Sequence, residues 1–362
     1  MTTAGKKTSL IIFIGIACVI LVVFFLLIPD LFKGFFSKDA QPPIPFTWQD
    51  PPPHKVYAAG IDKSGGTQRA CYWENEEQIL LGEEGVYSRA IAIAAFDGSV
   101  YIAGEYTYFS DNYSHSTLAC CWANGKETKL KAGDYSTVPT DITVAGGKVY
   151  VSGYSWHGNY QDACYWEDGV LYELPGGVSA DAITINDGKL YIAGRDFTYG
   201  TCYWVDGELN ILPLGDTVKA IAVEDGRVYV AGMYIDTPSG EEKPKPCIWI
   251  DGILNDHPGI ELFDMAVVGG TVYTTGIGPD PYQGTDSVYG YWAGSTFNGF
   301  KDASSEGGYK ISVKGTTVYA AGNYYYHHTF DDTIMHGACI WANSREYALS
   351  GRNSEAYAIA VE

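Results

Sequence analysis

Short runs of alternating apolar and polar residues recur along most of this chain, and glycine, aspartate or asparagine separates many of them. Residues 220–232, Ala-Ile-Ala-Val-Glu-Asp-Gly-Arg-Val-Tyr-Val-Ala-Gly, are typical. Alternation with a period of two predicts a β-strand, and an Asp-Gly pair between two such runs predicts a tight hairpin. The pattern therefore predicts many short antiparallel strands joined by tight turns.

Three sequence motifs each occur seven times. The first is Val/Leu-Tyr-x-x-Gly, with Tyr57, Tyr101, Tyr150, Tyr191, Tyr229, Tyr273 and Tyr319. The second, near Ala-Cys-Tyr-Trp, contains Trp73, Trp122, Trp166, Trp204, Trp249, Trp292 and Trp341. Copies of the third, near Ala-Ile-Ala-Val, begin at Ala90, Asp141, Ala182, Ala220, Asp264, Lys310 and Ala358. The repeated tyrosines lie 38 to 49 residues apart, which is the length of a propeller blade.

Each repeat is predicted to form one four-stranded antiparallel blade, with strands a, b, c and d in chain order. The fold prediction is therefore an all-β, seven-bladed β-propeller over residues 54–362. The repeats begin on a strand b at 55–57 and stop on a strand a at 358–361. The final strand a is expected to complete the first blade and to close the ring, which leaves few free sheet edges.

The hairpin at 220–232 and its six counterparts resemble the kelch type of propeller repeat. The chain is also similar, more loosely, to uncharacterised exported bacterial propellers. Kelch repeats commonly carry Gly-Gly after strand b, whereas this chain has Ala-Gly at 231–232. The resemblance implies a module that binds other proteins.

The N-terminal region is predicted to anchor the chain in a membrane. A short tail, 1–8, contains Lys6 and Lys7 and precedes an uncharged apolar run at 9–28, which is long enough to cross a bilayer. A proline-rich linker follows at 29–53. An uncleaved signal anchor is the preferred interpretation, with a cleaved signal peptide and acylation of Cys18 as alternatives. The predicted location is the cytoplasmic membrane, crossed once, with the propeller outside the cytoplasm.

Composition excludes one class of partner. The formal net charge is −20, so the chain is expected to repel phosphate backbones and not to bind nucleic acid. The cysteines recur at one position of the repeat and are expected to be buried thiols. We find no specific metal-binding spacing, and no cofactor is predicted.

The long loops between strands b and c are predicted to form a tyrosine-rich face. The candidate binding residues there are Tyr106, Tyr108, Tyr113, Trp156, His157, Tyr160, Tyr199, Tyr234, Tyr282, Tyr325 and His327. Variable loops on a rigid frame often carry function, and aromatic side chains contact partners at low entropic cost. The main functional prediction is a non-catalytic module that binds a protein or glycan. Tyrosines that simply cover the hydrophobic ends of the blades are the alternative.

Strand a is expected to line the central channel, where three copies of its motif begin with a charged residue. Asp141, Asp264 and Lys310 are predicted to lie near the channel mouth and to bind an ion or a small polar ligand, or else to be merely solvated. Propellers bring distant carboxylates together at their axis, so the alternative function is an enzyme that acts on carbohydrate at the channel.

Overall fold

The computed structural model describes residues 51–109, 115–236, 243–279, 287–300, 305–327, 334–349 and 353–362. The strands, in chain order, are β1 (Val56–Asp62), β2 (Arg69–Glu74), β3 (Glu77–Leu80), β4 (Tyr87–Phe96), β5 (Ser99–Phe109), β6 (His115–Ala123), β7 (Lys126–Leu130), β8 (Ser136–Ala145), β9 (Lys148–His157), β10 (Tyr160–Glu167), β11 (Val170–Glu173), β12 (Gly177–Asn186), β13 (Lys189–Asp196), β14 (Gly200–Val205), β15 (Glu208–Ile211), β16 (Gly215–Glu224), β17 (Arg227–Tyr234), β18 (Lys245–Ile250), β19 (Ile253–Asp256), β20 (Glu261–Val268), β21 (Thr271–Gly278), β22 (Val288–Ala293), β23 (Thr296–Gly299), β24 (Ser305–Lys314), β25 (Thr317–His327), β26 (Ile334–Ala342), β27 (Arg345–Ala348) and β28 (Ser354–Val361).

Across these described ranges the strands form seven antiparallel sheets of four strands each. Blade 1 combines β28 with β1, β2 and β3, and blades 2 to 7 each use four consecutive strands, starting at β4. The innermost strands contact one another in the order β28, β4, β8, β12, β16, β20, β24 and again β28. The predicted seven-bladed propeller is confirmed, and so is its closure, because Val361 of β28 lies opposite Val56 of β1.

The repeated tryptophans are buried between neighbouring blades, as their regular spacing predicts. Trp73 of blade 1, for example, packs with Tyr319 and Ile340 of blade 7. Trp204 and Trp292, the least enclosed of the set, are only 2% exposed. The cysteines of the described residues are also buried and form no disulfide, which agrees with a packing role.

The turns between strands c and d share a side-chain hydrogen bond that fixes each hairpin to strand b. In six blades the first turn residue is Asn or Asp with a positive φ of 48–55°, and its Oδ1 accepts from the first or second N–H of strand b at 2.9–3.2 Å. These residues are Asn75, Asn124, Asp168, Asp206, Asp251 and Asn343. Asn and Asp tolerate this left-handed conformation better than other non-glycine residues.

Blade 6 lacks this bond, because Gly294 occupies the equivalent position with a φ of +59°. We expect Gly294→Asn to stabilise the protein by about 1 kcal/mol, since the side chain adds a hydrogen bond and restricts the unfolded chain. A Cβ at this position meets open space, and blade 7 shows the same turn with Asn343 before Ser344. Denaturant unfolding checks the gain, and Gly294→Ala, which lacks the acceptor, is the control. A stability equal to or below that of Gly294→Ala contradicts the prediction.

One register prediction is wrong. The inner-strand motif of blade 2 was expected to begin at Ala90, but Ala92 pairs with Ala103, as Ala182 pairs with Ala193 in blade 4. The true counterpart of Asp141 in blade 2 is therefore Ala92.

The predicted anchor at 9–28 and most of the linker lie outside the described residues. Among the residues that are described, no helix is long and apolar enough to span a bilayer.

Candidate functional site

A β-bulge interrupts the inner strand of every described blade. The pairing of β28 with β1, for instance, passes from Ala358 to Ala356 and leaves Tyr357 without an opposite residue. The residues at this place, here called the bulge ring, are Ile91, Thr140, Asp181, Lys219, Phe263, Tyr309 and Tyr357. All seven are half-buried. Bulges change the direction of side chains and are common beside functional sites. The bulge ring therefore presents a different side chain from each blade on the long-loop side of the channel.

The next residue of each inner strand lies in the channel itself. There the structure brings Asp141, Asp264 and Lys310 together around a cavity of about 160 Å³. The Lys310 Nζ atom lies 3.4 Å from Asp264 Oδ1 and 3.8 Å from Asp141 Oδ1. Burial lowers the pKa of Lys310, but the two carboxylates outweigh burial and raise it overall, so the lysine is charged at neutral pH.

These axial carboxylates also join neighbouring blades. Asp264 Oδ2 accepts from the Ile311 N–H of blade 7 at 2.8 Å, and Asp141 Oδ2 accepts from the Ile183 N–H of blade 4 at 3.2 Å. The three charged residues therefore form an internal ionic link, called here the axial triad. Their role as a ligand site stays a prediction.

A larger cavity of about 450 Å³ opens on the long-loop face between blades 1, 2 and 3. It is called the mouth pocket, and its lining consists of Gln68, Tyr87, Arg89, Glu105, Thr107, Phe109, Thr117, Val138, Tyr154, Trp156 and Tyr357. Two of its aromatic walls are fixed by edge-on packing, Tyr87 against Phe109 and Tyr154 against Trp156. The volume and the mixture of aromatic and polar groups are typical of a small-molecule site.

The charged wall of the mouth pocket consists of Arg89 and Glu105, which face each other on β4 and β5. The Arg89 Nε–H donates to Glu105 Oε1 at 2.8 Å, and the Glu105 side chain is only 5% exposed. The guanidinium compensates the charge of this nearly buried carboxylate.

Asp181 of the bulge ring belongs to β12 of blade 4, next to blade 3, whose Tyr154 lines the pocket. Burial raises the pKa of Tyr154, and the charges of Glu105 and Asp181 raise it further. Burial also raises the pKa of Asp181, to about 6. The Ser179 Oγ–H, which donates to Asp181 at 3.0 Å, and the positive charges of Arg195 and Lys219 lower this pKa, but burial outweighs them. Asp181 can therefore hold a proton in weakly acidic solution.

Tyr357 connects the mouth pocket to a second polar group on blade 1. Its hydroxyl donates to Glu355, which also pairs with Lys63. Burial raises the pKa of Glu355, but Lys63 and the Tyr357 hydroxyl outweigh burial and lower it. Glu355 is consequently ionised and holds the Tyr357 ring in place.

Some residues of the predicted tyrosine-rich face are exposed in the structure, and others are buried. Tyr108, Trp156, Tyr160 and Tyr199 are exposed, with exposed fractions of 39–73%, and half-buried His157 pairs with Asp162.

The placement of Tyr106 and Tyr234 on this face is wrong. Both are buried, and their hydroxyl groups donate to Glu127 and Asp256. Each follows the motif glycine of its strand b by two residues, so its side chain points into the sheet packing. Tyr113 and Tyr282 lie outside the described residues, as do the side chains of Tyr325 and His327.

Sequence reasoning missed Arg89, Glu105, Asp181 and Tyr357. Three of them lie next to a position that the repeat identifies, because Glu105 follows a motif glycine and Asp181 and Tyr357 precede axial residues. The available signal was the variability of the residue just before the axial position, where Asp, Lys, Phe and Tyr replace one another.

No protein-family model and no curated protein sequence matches this chain. Among solved structures, it is similar to a GH43 β-xylosidase/α-arabinofuranosidase from a compost microbial metagenome, with 17% identity and a TM-score of 0.32 over 70% of this chain and 94% of that one. A mutant Trypanosoma rangeli sialidase with trans-sialidase activity has 12% identity and a TM-score of 0.43 over 75% and 56%. An acylaminoacyl peptidase of Pyrococcus horikoshii has 12% identity and a TM-score of 0.39 over 84% and 55%.

These comparisons correct two predictions. The matched structures named here are not kelch repeats, so the kelch resemblance is not supported. They are also enzymes by name, two of them acting on sugars, which contradicts the prediction of a non-catalytic binding module and agrees better with the alternative. At these scores the likeness assigns no activity to this chain.

Proposed function

We propose that this chain is a propeller enzyme that acts on carbohydrate, with the mouth pocket as its active site. The observation that carries the proposal is the nearly buried carboxyl group of Glu105 in the wall of the mouth pocket, with a second carboxyl group, that of Asp181, on the inner strand of blade 4, next to the pocket's blade 3. Glu105 is a nearly buried carboxylate that is paired with Arg89, and Asp181 has its pKa raised to about 6. Carboxyl groups kept in different protonation states are the usual acid and base of glycoside cleavage.

In this proposal Asp181 donates its proton to the oxygen that leaves with the departing sugar. Glu105 faces the positive charge that develops on the sugar ring and takes a proton from the water molecule that attacks the anomeric carbon as the bond to the leaving oxygen breaks. The faces of Tyr87, Phe109 and Trp156 supply apolar surface for the sugar, and Gln68, Thr107 and Thr117 supply hydrogen-bonding groups. The pocket thus offers both kinds of contact that a hydroxyl-rich ring needs.

The N-terminal anchor at 9–28 and the location of the propeller outside the cytoplasm remain part of the proposal. They are supported by the length of the apolar run and by its two preceding lysines. The proposed partners are a glycan substrate and the membrane, without nucleic acid.

Filling the mouth pocket tests the proposal. Thr107 lines the pocket and is half-buried, so Thr107→Trp is expected to lower the kcat/KM for a responsive nitrophenyl glycoside at least about a hundredfold by excluding the sugar. The full-length chain is screened with nitrophenyl glycosides of the common hexoses, pentoses and sialic acid.

The matched control is Thr128→Trp, because Thr128 is exposed on the outer strand of the same blade. Hydrolysis by the wild type and by this control, but not by Thr107→Trp, supports the proposal. A wild-type chain that cleaves none of the glycosides, or a Thr107→Trp variant with full activity, refutes it.

A further inference from the structure

Three aromatic residues of the bulge ring continue the mouth pocket around the channel. Phe263, Tyr309 and Tyr357 belong to blades 6, 7 and 1, whose inner strands are neighbours. Their ring centroids are 6.1 Å apart from Phe263 to Tyr309 and 6.1 Å from Tyr309 to Tyr357. These three residues are called the aromatic arc.

The aromatic arc is supported from behind and is therefore rigid. Tyr289 of β22 stacks on Phe263 with a centroid distance of 6.1 Å and an interplanar angle of 27°. At the other end, the Tyr357 hydroxyl donates to Glu355. Rigid rings lose little conformational entropy when a ligand covers them.

Tyr357 belongs to both the aromatic arc and the mouth pocket, so the two surfaces are continuous. Each step along the arc is comparable with the width of one pyranose ring. The interplanar angles are 41° and then 74°, so the three rings do not lie in one plane. A ligand that leaves the pocket at Tyr357 meets a second and a third ring in succession.

We propose that the aromatic arc binds the further sugar units of a neutral glycan, so that the substrate is an oligosaccharide chain held beyond the cleavage site. This inference rests on the proposed function. The apolar and phenolic rings suit the C–H faces and hydroxyl groups of sugars, and the net charge of −20 disfavours polyanionic glycans.

Binding to a variant with strongly reduced cleavage tests the inference with little interference from turnover. The full-length chain with Asp181→Asn is titrated calorimetrically with the hexaoses and the corresponding disaccharides of β-linked glucose, xylose and mannose and of α-linked arabinose. We expect at least one hexaose to bind about tenfold more tightly than its disaccharide, because two additional rings are covered. A polygalacturonate oligomer of the same length is expected to bind more weakly.

Two substitutions at one position isolate the arc. Phe263→Leu keeps an apolar side chain but removes one of the two additional rings, and it is expected to lower the preference for the hexaose from about tenfold to about threefold. Phe263→Tyr keeps the ring and is expected to retain the preference. Thermal melting of both variants shows whether the propeller remains folded.

The inference is overturned if no hexaose is preferred over its disaccharide, or if Phe263→Leu retains the full preference of the Asp181→Asn variant. Failure of the proposed function has a different signature, since the wild type then cleaves no glycoside whatever the hexaose binding shows. Glycoside cleavage without a hexaose preference supports the mouth pocket as the active site and contradicts only the proposed role of the aromatic arc.

Discussion

Lys310→Met is expected to destabilise the propeller by about 2–3 kcal/mol at neutral pH, because two carboxylates then share the channel without a compensating charge. This value is below the usual cost of breaking a fully buried pair, since the Lys310 side chain is 22% exposed. The loss is expected to shrink in acid, where Asp264, whose pKa is raised by burial, binds a proton and the repulsion between the two carboxylates ends. Denaturant unfolding at pH 7.5 and pH 4 measures both effects.

The control for this experiment neutralises the whole axial triad. Asn at positions 141 and 264 keeps an oxygen that accepts from the Ile183 and Ile311 N–H groups. The triple variant with Asp141→Asn, Asp264→Asn and Lys310→Met is therefore expected to recover most of the lost stability. If the single variant is as stable as the wild type at pH 7.5, the three side chains are solvated and the ionic link across the channel does not exist.

Asp181→Asn is expected to lower kcat about a hundredfold to a thousandfold on the glycoside that the wild type cleaves, because the amide cannot donate the proton. Wild-type kcat/KM should fall as the pH rises through about 6, where Asp181 loses its proton. The variant should lack this decline. Substrates with very acidic leaving groups should be less affected, since their departure needs little protonation.

The same substitution is expected to raise stability. The pKa of Asp181 is higher in the folded state than in the unfolded chain, so the folded state binds more protons between about pH 4 and pH 6, and wild-type stability falls across that window. Asn carries no charge, so Asp181→Asn should gain about 1–2 kcal/mol above pH 6 and nothing below pH 4.

Asp187→Asn is the matched control for both measurements. Asp187 lies on the same inner strand hairpin, in its exposed turn, with a φ of +49° that Asn also tolerates. It is expected to change neither kcat nor the pH dependence of stability. If Asp181→Asn keeps the wild-type kcat, Asp181 is not the proton donor, whatever the effect of the substitution on stability.

The fold could be read from the sequence because the repeat fixes it several times over. Seven copies of each motif gave the blade number, and the tryptophan spacing gave the core between the blades. The register of blade 2 could not be read in the same way. Ala90-Ile-Ala-Ile alternates with a period of two, so a shift from Ala92 to Ala90 leaves every side chain on the same face. Only the pairing with Ala103 distinguishes the two.

The site was less predictable because it depends on residues that the repeat does not conserve. A bulge places Asp181 and Tyr357 at the mouth, and no local pattern of apolar residues marks a bulge. The exposed face was partly mispredicted for a related reason. Counting tyrosines treated Tyr106 and Tyr234 like Tyr160, although their strand parity directs them inward.

The closure of blade 1 has a consequence for biosynthesis. The inner edge of β1 pairs with β28, and the two strands are separated in the chain by almost all the residues of the propeller. While the ribosome makes the six intervening blades, β1 can pair with β2, but its inner edge has no native partner. A nascent chain from a nearby ribosome can occupy that edge first. Slow release of the chain from the ribosome, or crowding of ribosomes on one message, should therefore favour oligomers that exchange strands at the pairing of β1 with β28. Chaperones that cover the edge of β1 should matter more than chaperones at any junction between consecutive blades.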